Sequence, residues 1–320
     1  MANSTIITPE EIQTAAIKYR KQLLMLPILG IRRSTQYMTE IPGVAGKFVI
    51  GDADFDAQFA PYKSSRTGTE DLHLNLRELE THLGNVVQKF EPNSVAKTVF
   101  AAGATKGDGQ KNTPVALLAL ASIAKNLSRH LNNALWNATR NPSGDTTKDL
   151  FDGFDTITQK ELAATNLSAD KGNYYKMTEE ITAENAVDVA KDIITALSPE
   201  LREEDTFLYC SPEFYDNYCE AYKVTGAGLV YNKQYEQVYV EGSNRRCTLV
   251  PLANKSGSNF MHLTTKSNML VGYDQMGDVE KVLVEKYEPF LLSYVATMYF
   301  GVQFHTLDKR MMMVVDLRTT

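Results

Sequence analysis

The sequence runs to 320 residues, 43% hydrophobic and 22% charged, with a formal net charge of −6. That is enough chain for one large domain or two to three smaller ones, at an apolar fraction ordinary for a globular protein. Lys and Arg are spread along it, without the basic stripe that tight phosphate binding requires, and the three cysteines (Cys210, Cys219, Cys247) form no CxxC, so a nucleic-acid reader, a zinc site and a disulfide frame are all disfavoured.

In chain order, Pro9–Leu26 reads as a helix behind Thr8, with Ile12, Ala16, Tyr19, Leu23 and Leu26 on one face and Pro27 and Gly30 as its stop. Thr35–Lys89 differs: it is polar, broken by turn residues at Pro42-Gly43, Gly46, Pro61 and Gly68, and too poor in large apolar residues for its own core. Leu72, Leu74 and Leu76 alternate with His73, Asn75 and Arg77, the pattern of a strand with one wet face. A β-rich excursion of this length projects from a body and needs a partner to cover it.

Glu91–Gly109 is a joining segment that ends in a glycine-rich run. A long helix follows, capped by Thr113 with Pro114 at its first position, and Leu117, Leu120, Ala124, Leu127, Leu131 and Leu135 form its apolar stripe. Asn141-Pro142-Ser143-Gly144 is expected to end it, because Pro142 drives Asn141 out of the helical region. At about 1.5 Å per residue such a helix reaches roughly 40 Å, the length of a structural beam.

Thr182–Leu197 reads as an amphipathic helix capped by Thr182, and Thr206–Cys210 as a short buried strand. Ser211-Pro212 then opens a helix to Tyr222. Gln237–Val240, Thr248–Leu252 and Met269–Tyr273 read as strands, which completes a compact α/β unit. Lys281–Tyr287, the run from Phe290 to Phe304, and Met311–Leu317 are the closing strands. Phe290–Phe304 is the most apolar run, yet it is too short to cross a bilayer as a helix. With no signal-peptide pattern at the polar N-terminus, the expectation is a soluble protein made in a cytoplasm.

Chemistry is sparse. Asp52, Asp54 and Asp56 sit at calcium-loop positions, but Ala57 stands where the sharp turn needs glycine and Lys63 where the bidentate Glu belongs. Gly103–Thr113 lacks the Gly-Lys-Thr ending of a phosphate loop. His73, His82, His130, His262 and His305 are scattered, with no HxxxH, and no GxSxG elbow occurs. The sequence therefore offers no catalytic, cofactor-binding or metal-binding residues, and the expectation is a protein that is not an enzyme and holds no cofactor.

Four stretches carry a resemblance: Ala134–Ile157 (ALWNATRN…LFDGFDTI), Phe207–Tyr218 (FLYCSPEFYDNY), Asn268–Asp278 (NMLVGYDQMGD) and Asp308–Asp316 (DKRMMMVVD). In these, and in the order of its elements, the chain resembles the major capsid proteins of tailed bacteriophages, the HK97-type fold. The resemblance implies an α+β architecture: an N-terminal arm (1–33), an extended β loop (34–92), a peripheral domain (93–181) with its spine helix at 113–139, an axial α/β domain (182–278) and C-terminal strands (279–320). It implies a structural subunit of an icosahedral shell around double-stranded DNA, in a virion assembled in the host cytoplasm. Its partners would be copies of itself in pentamers and hexamers, a separate scaffolding protein and a portal, with no sequence-specific nucleic-acid contact and no membrane. Some relatives cross-link a loop lysine to a neighbour; Lys47 and Lys63 lie in the loop here, and no motif assigns either that role. An encapsulin-like nanocompartment shell shares the fold, and a soluble α/β enzyme is the reading from another class.

Overall fold

The structure is a computed structural model, which describes residues 30–55, 59, 61–65, 67, 72–91, 115–225, 238–274, 282–288 and 291–319. The expected arm helix Pro9–Leu26 and the glycine-rich run lie outside these residues. The described chain is mixed α+β. Its first strands are β1 (Thr39–Pro42), β2 (Lys47–Phe55), β3 (Leu72–Glu80) and β4 (His82–Phe90), followed by helices α1 (Val115–Asn137) and α2 (Phe154–Ala163). Then come β5 (Tyr174–Lys176), α3 (Ala186–Ala196), α4 (Pro199–Glu203), β6 (Thr206–Cys210) and α5 (Pro212–Thr225). The chain continues through β7 (Cys247–Pro251), β8 (Phe260–Thr265), β9 (Met269–Tyr273), β10 (Val282–Glu288), β11 (Leu291–Phe304) and β12 (Met312–Asp316). These form two compact units, the first from Met1–Gly46, Thr81–Thr156 and Val271–Val302, the second from Lys47–Glu80, Ile157–Leu270 and Gln303–Thr320.

The first unit is built on α1, 23 residues or about 35 Å long. Leu120, Ala124, Leu131, Ala134, Leu135 and Trp136 are buried along it, while Lys125, Arg129 and His130 are exposed, as the periodicity predicts. Leu127 departs from the expected stripe. It is only half-buried and faces a cavity.

The end of α1 is fixed by a strap. Residues 138–141 run beside 148–153, with Thr139 N–H donating to Lys148 O (2.9 Å), Asn141 N–H to Asp149 O (2.9 Å) and Gly153 N–H to Ala138 O (2.8 Å). The Ala138 carbonyl, just past the helix end, is thereby satisfied: besides Gly153 N–H, Thr156 Oγ1 donates to it (2.6 Å). Gly153 has to be glycine at this crossing, because a Cβ there would lie 2.3 Å from Trp136 O and 2.9 Å from Ala138 N, both backbone atoms that cannot give way. Phe154 then tilts against Trp136 (centroids 5.3 Å apart), and Phe151 meets Phe300 edge-on at 4.9 Å.

The sheet that includes this unit's strands has the order β1-β9-β11-β10, and β4 also pairs with β11. β4 is antiparallel to β11, from Leu292↔Phe90 to Phe300↔His82. The excursion expected over 34–92 therefore divides. β1 and β4 are members of this sheet, and only β2 and β3 pair solely with each other, from Lys47↔Glu80 to Phe55↔Leu72. Likewise Met269–Tyr273, expected within the α/β unit, pairs with β1 and β11 instead. Its apolar run reads the same in either sheet, since only the partner strand distinguishes them.

The second unit has a mixed sheet in the order β5-β12-β8-β6-β7. β6 and β7 are parallel, which requires a crossover, and α5 supplies it. Ser211 caps that helix through its hydroxyl, which accepts from Phe214 N–H (3.2 Å), with Pro212 at the first helical position. Ala190, Ile193 and Ile194 of α3 and Phe214, Tyr218 and Ala221 of α5 pack with Leu208, Met261, Leu263, Met313 and Val315 of the sheet. α3 starts at Ala186, later than expected. Thr182 does not cap it; its N–H donates to Asn185 Oδ1 (2.8 Å) in the preceding turn. β8, the sheet's middle strand, is wholly buried and gives no alternating signal in FMHLTT.

Candidate assembly surfaces

Among the described residues no group of three or more His, Cys, Asp or Glu side chains could hold a metal ion. Cys210 and Cys247 are buried, and burial pushes both thiols up to about 12, which removes their nucleophilic form at neutral pH. A cavity of about 480 Å³ in the first unit is lined by Leu127, Leu131, Arg140, Leu150, Tyr294 and Met298, among others. Among its polar groups, the Arg140 guanidinium donates to Leu150 O (2.9 Å), Asp149 accepts from Thr146, and the Tyr294 phenol is pushed up to about 12 by burial.

The second unit holds a buried polar cluster that the sequence does not announce. His262 and Lys255 are 0% and 1% exposed, with Lys255 Nζ 3.1 Å from His262 Nδ1 and Thr158 Oγ1 2.8 Å from Nε2. The ammonium has only protons to give, so Nδ1 accepts and Nε2–H donates to Thr158. Phe304 stacks on the ring at 5.5 Å. Burial first, and the Lys255 charge second, hold the imidazole well below its ordinary value of 6.5.

The depressed pKa of His262 has a consequence for stability. The folded chain keeps His262 neutral while the unfolded chain takes up a proton below about 6.5, so stability is full above that pH and is lost as pH falls through it. Denaturant melts between pH 7.5 and 5.0 are expected to lose up to about 1.4 kcal/mol per pH unit from this one proton. His262→Gln, which can still accept from Lys255 and donate to Thr158, is expected to flatten that part of the slope. An unchanged slope would mean that His262 titrates normally.

What the described surface does offer is the β2–β3 hairpin. In its antiparallel register, directly opposed residues share a face. Phe48, Ile50, Arg77 and Leu79 lie on one, and there Ile50 and Leu79 are 7% and 0% exposed. On the other, Val49, Leu74 and Leu76 are 58%, 57% and 63% exposed. The leucine alternation thus marks a strand, as expected, but Leu74 and Leu76 are on its wet side. Farther out, Phe59 and Tyr62 are also exposed. A two-stranded ribbon that bares aliphatic side chains to water is marginal by itself and gains by being covered.

No protein-family model matches the sequence, and no curated protein does either. Solved structures do match. A native GTA particle capsid is similar at 15% identity, covering 90% of this chain and 89% of that one, with a TM-score of 0.60. The satellite phage P4 procapsid including size determination (Sid) protein is similar at 15% identity over 91% and 97% of the two chains, with a TM-score of 0.55. The SrpI encapsulin complex of Synechococcus elongatus PCC 7942 is similar at 12% identity over 89% and 87%, with a TM-score of 0.51. The fold is thus the HK97-type α+β fold that phage capsids and encapsulins share.

Proposed function

We propose that this chain is the structural subunit of a tailed-bacteriophage icosahedral capsid, a non-enzymatic protein that assembles with copies of itself, in pentamers and hexamers, into a shell around double-stranded DNA. The observation that carries the reading beyond the fold is the hairpin Lys47–Glu80, with Val49, Leu74 and Leu76 uncovered on one face. A solitary enzyme has no use for that face, whereas a shell covers it once in every subunit. In this reading residues 1–33 are the N-terminal arm and β2–β3 the projecting part of the 34–92 segment. Residues 93–181 are a peripheral domain around α1, 182–278 an axial domain, and 279–320 the returning strands. A separate scaffolding protein and a portal complete the partners, assembly takes place in the host cytoplasm, and no base-specific contact or membrane is involved.

The test is assembly itself. The chain, expressed alone and with the product of the neighbouring gene, is expected to give closed particles, tubes or capsomers by negative-stain microscopy and light scattering. A compact monomer at every concentration and salt, with and without that product, refutes the reading. Particles that form readily without a scaffold and carry a co-purifying enzyme instead of DNA point to the nanocompartment shell, which has the same fold.

A further inference from the structure

The base of the β2–β3 hairpin holds a hydrogen-bonded cluster centred on Arg77. Arg77, on β3, is largely buried and makes three hydrogen bonds to residues of two other elements, Glu161, Gln303 and Phe304, all of them in the second unit. One terminal nitrogen donates to Glu161 Oε1 on α2 (2.7 Å) and to Gln303 Oε1 on β11 (3.0 Å), and Nε donates to Phe304 O (3.1 Å). Each partner is itself held. Glu161 Oε2 accepts from Asn166 Nδ2 (2.7 Å), Gln303 Oε1 also accepts from Phe304 N–H (3.0 Å), and Gln303 Nε2 returns a bond to Glu78 O on β3 (3.0 Å). The Arg77 and Glu161 side chains are only 16% and 17% exposed, so the pair is shielded from the screening that makes surface ion pairs weak.

The geometry is that of a bolted lever. Nine-residue strands at about 3.3 Å per residue reach roughly 30 Å, so a tilt of about 10° at the base carries the outer end about 5 Å, a full strand spacing. Arg77 lies three residues from the inner end of β3 and joins it to two elements at once through a planar, rigid fork. A lysine has no such fork and cannot reproduce all three bonds.

We propose that Arg77 is a positioning residue for assembly: through Glu161, Gln303 and the Phe304 carbonyl it sets the direction of the β2–β3 hairpin. The role in assembly rests on the capsid reading; the hold on the hairpin does not.

Two measurements separate these. In a Cys219→Ser background, spin labels at Asn75→Cys on β3 and Ala169→Cys, both exposed positions, report the hairpin's direction in the free subunit. The distance distribution is expected to be narrow with Arg77 present, broad in Arg77→Ala, and partly broadened in Arg77→Lys and Glu161→Gln. The last of these keeps the side-chain shape and serves if Arg77→Ala fails to fold. Closed particles are expected to fall at least tenfold in Arg77→Ala, with far-UV circular dichroism unchanged. A narrow distribution in the variants overturns the hold, and a broad one with normal particle yield overturns the positioning role. If the unaltered chain forms no particles, the capsid reading fails, and the distance distribution alone then decides whether Arg77 holds the hairpin.

Discussion

Trimming the hairpin between Asp52 and Asn75, with a two-residue Asn-Gly turn in place of residues 53–74, is expected to leave a folded subunit that forms no shells. Asp52 and Asn75 are partners in the register, so the cut closes as a short hairpin without a shift that would flip its faces. The buried base stays: Ile50, Leu79 and Arg77 with its bonds to Glu161 and Gln303 are all retained. Among the residues removed, Leu74, Phe59 and Tyr62 are exposed. Thermal melting is therefore expected to change little, while microscopy goes from particles to none. If the trimmed chain still closes shells, the hairpin is not the intersubunit element. If it cannot fold, the outer hairpin belongs to the subunit's core.

The second large effect is at the end of α1. Trp136 is 0% exposed and packed on Phe154, and Gly153 lies against its carbonyl. Trp136→Ala is expected to cost about 3–5 kcal/mol, as large-to-small core changes do. Lys125→Ala, on the exposed face, is expected to stay within about 0.5 kcal/mol. Urea melts followed by far-UV circular dichroism compare them, since Trp136 is the only tryptophan and fluorescence is lost with it. Similar midpoints for the two variants would mean that the helix is not anchored by this contact.

What the sequence shows and hides follows from the range of the interactions. α1 and the Ser211-Pro212 start are legible because caps, prolines and periodicity act within a few residues, but α1 ends at Asn137, ahead of the expected Asn141-Pro142 stop, where the strap to 148–153 takes over its end. The strand at Leu72–Glu80 is legible by its alternation, but which side is wet depends on what covers Ile50 and Leu79, and alternation is blind to that. β8 is hidden because a strand buried on both faces does not alternate, and His262 and two threonines dilute its apolar run. The Arg77 cluster joins residues 84 and 226 positions away, and no local pattern encodes such a meeting. The uncovered leucine face, which gives the positive reason for assembly, appears only once the register is known.

The order of strands in the second sheet bears on when this protein becomes able to fold during synthesis. β12 lies between β5 and β8, parallel to one and antiparallel to the other, yet it follows every other strand of that sheet in the chain. Until Met312–Asp316 has left the ribosome, β5 has no partner in the sheet and β8 is an open edge. The hairpin with its leucines is translated long before. A nascent chain thus presents the hairpin's exposed leucines well before the sheet of the second unit can be completed by its last strand.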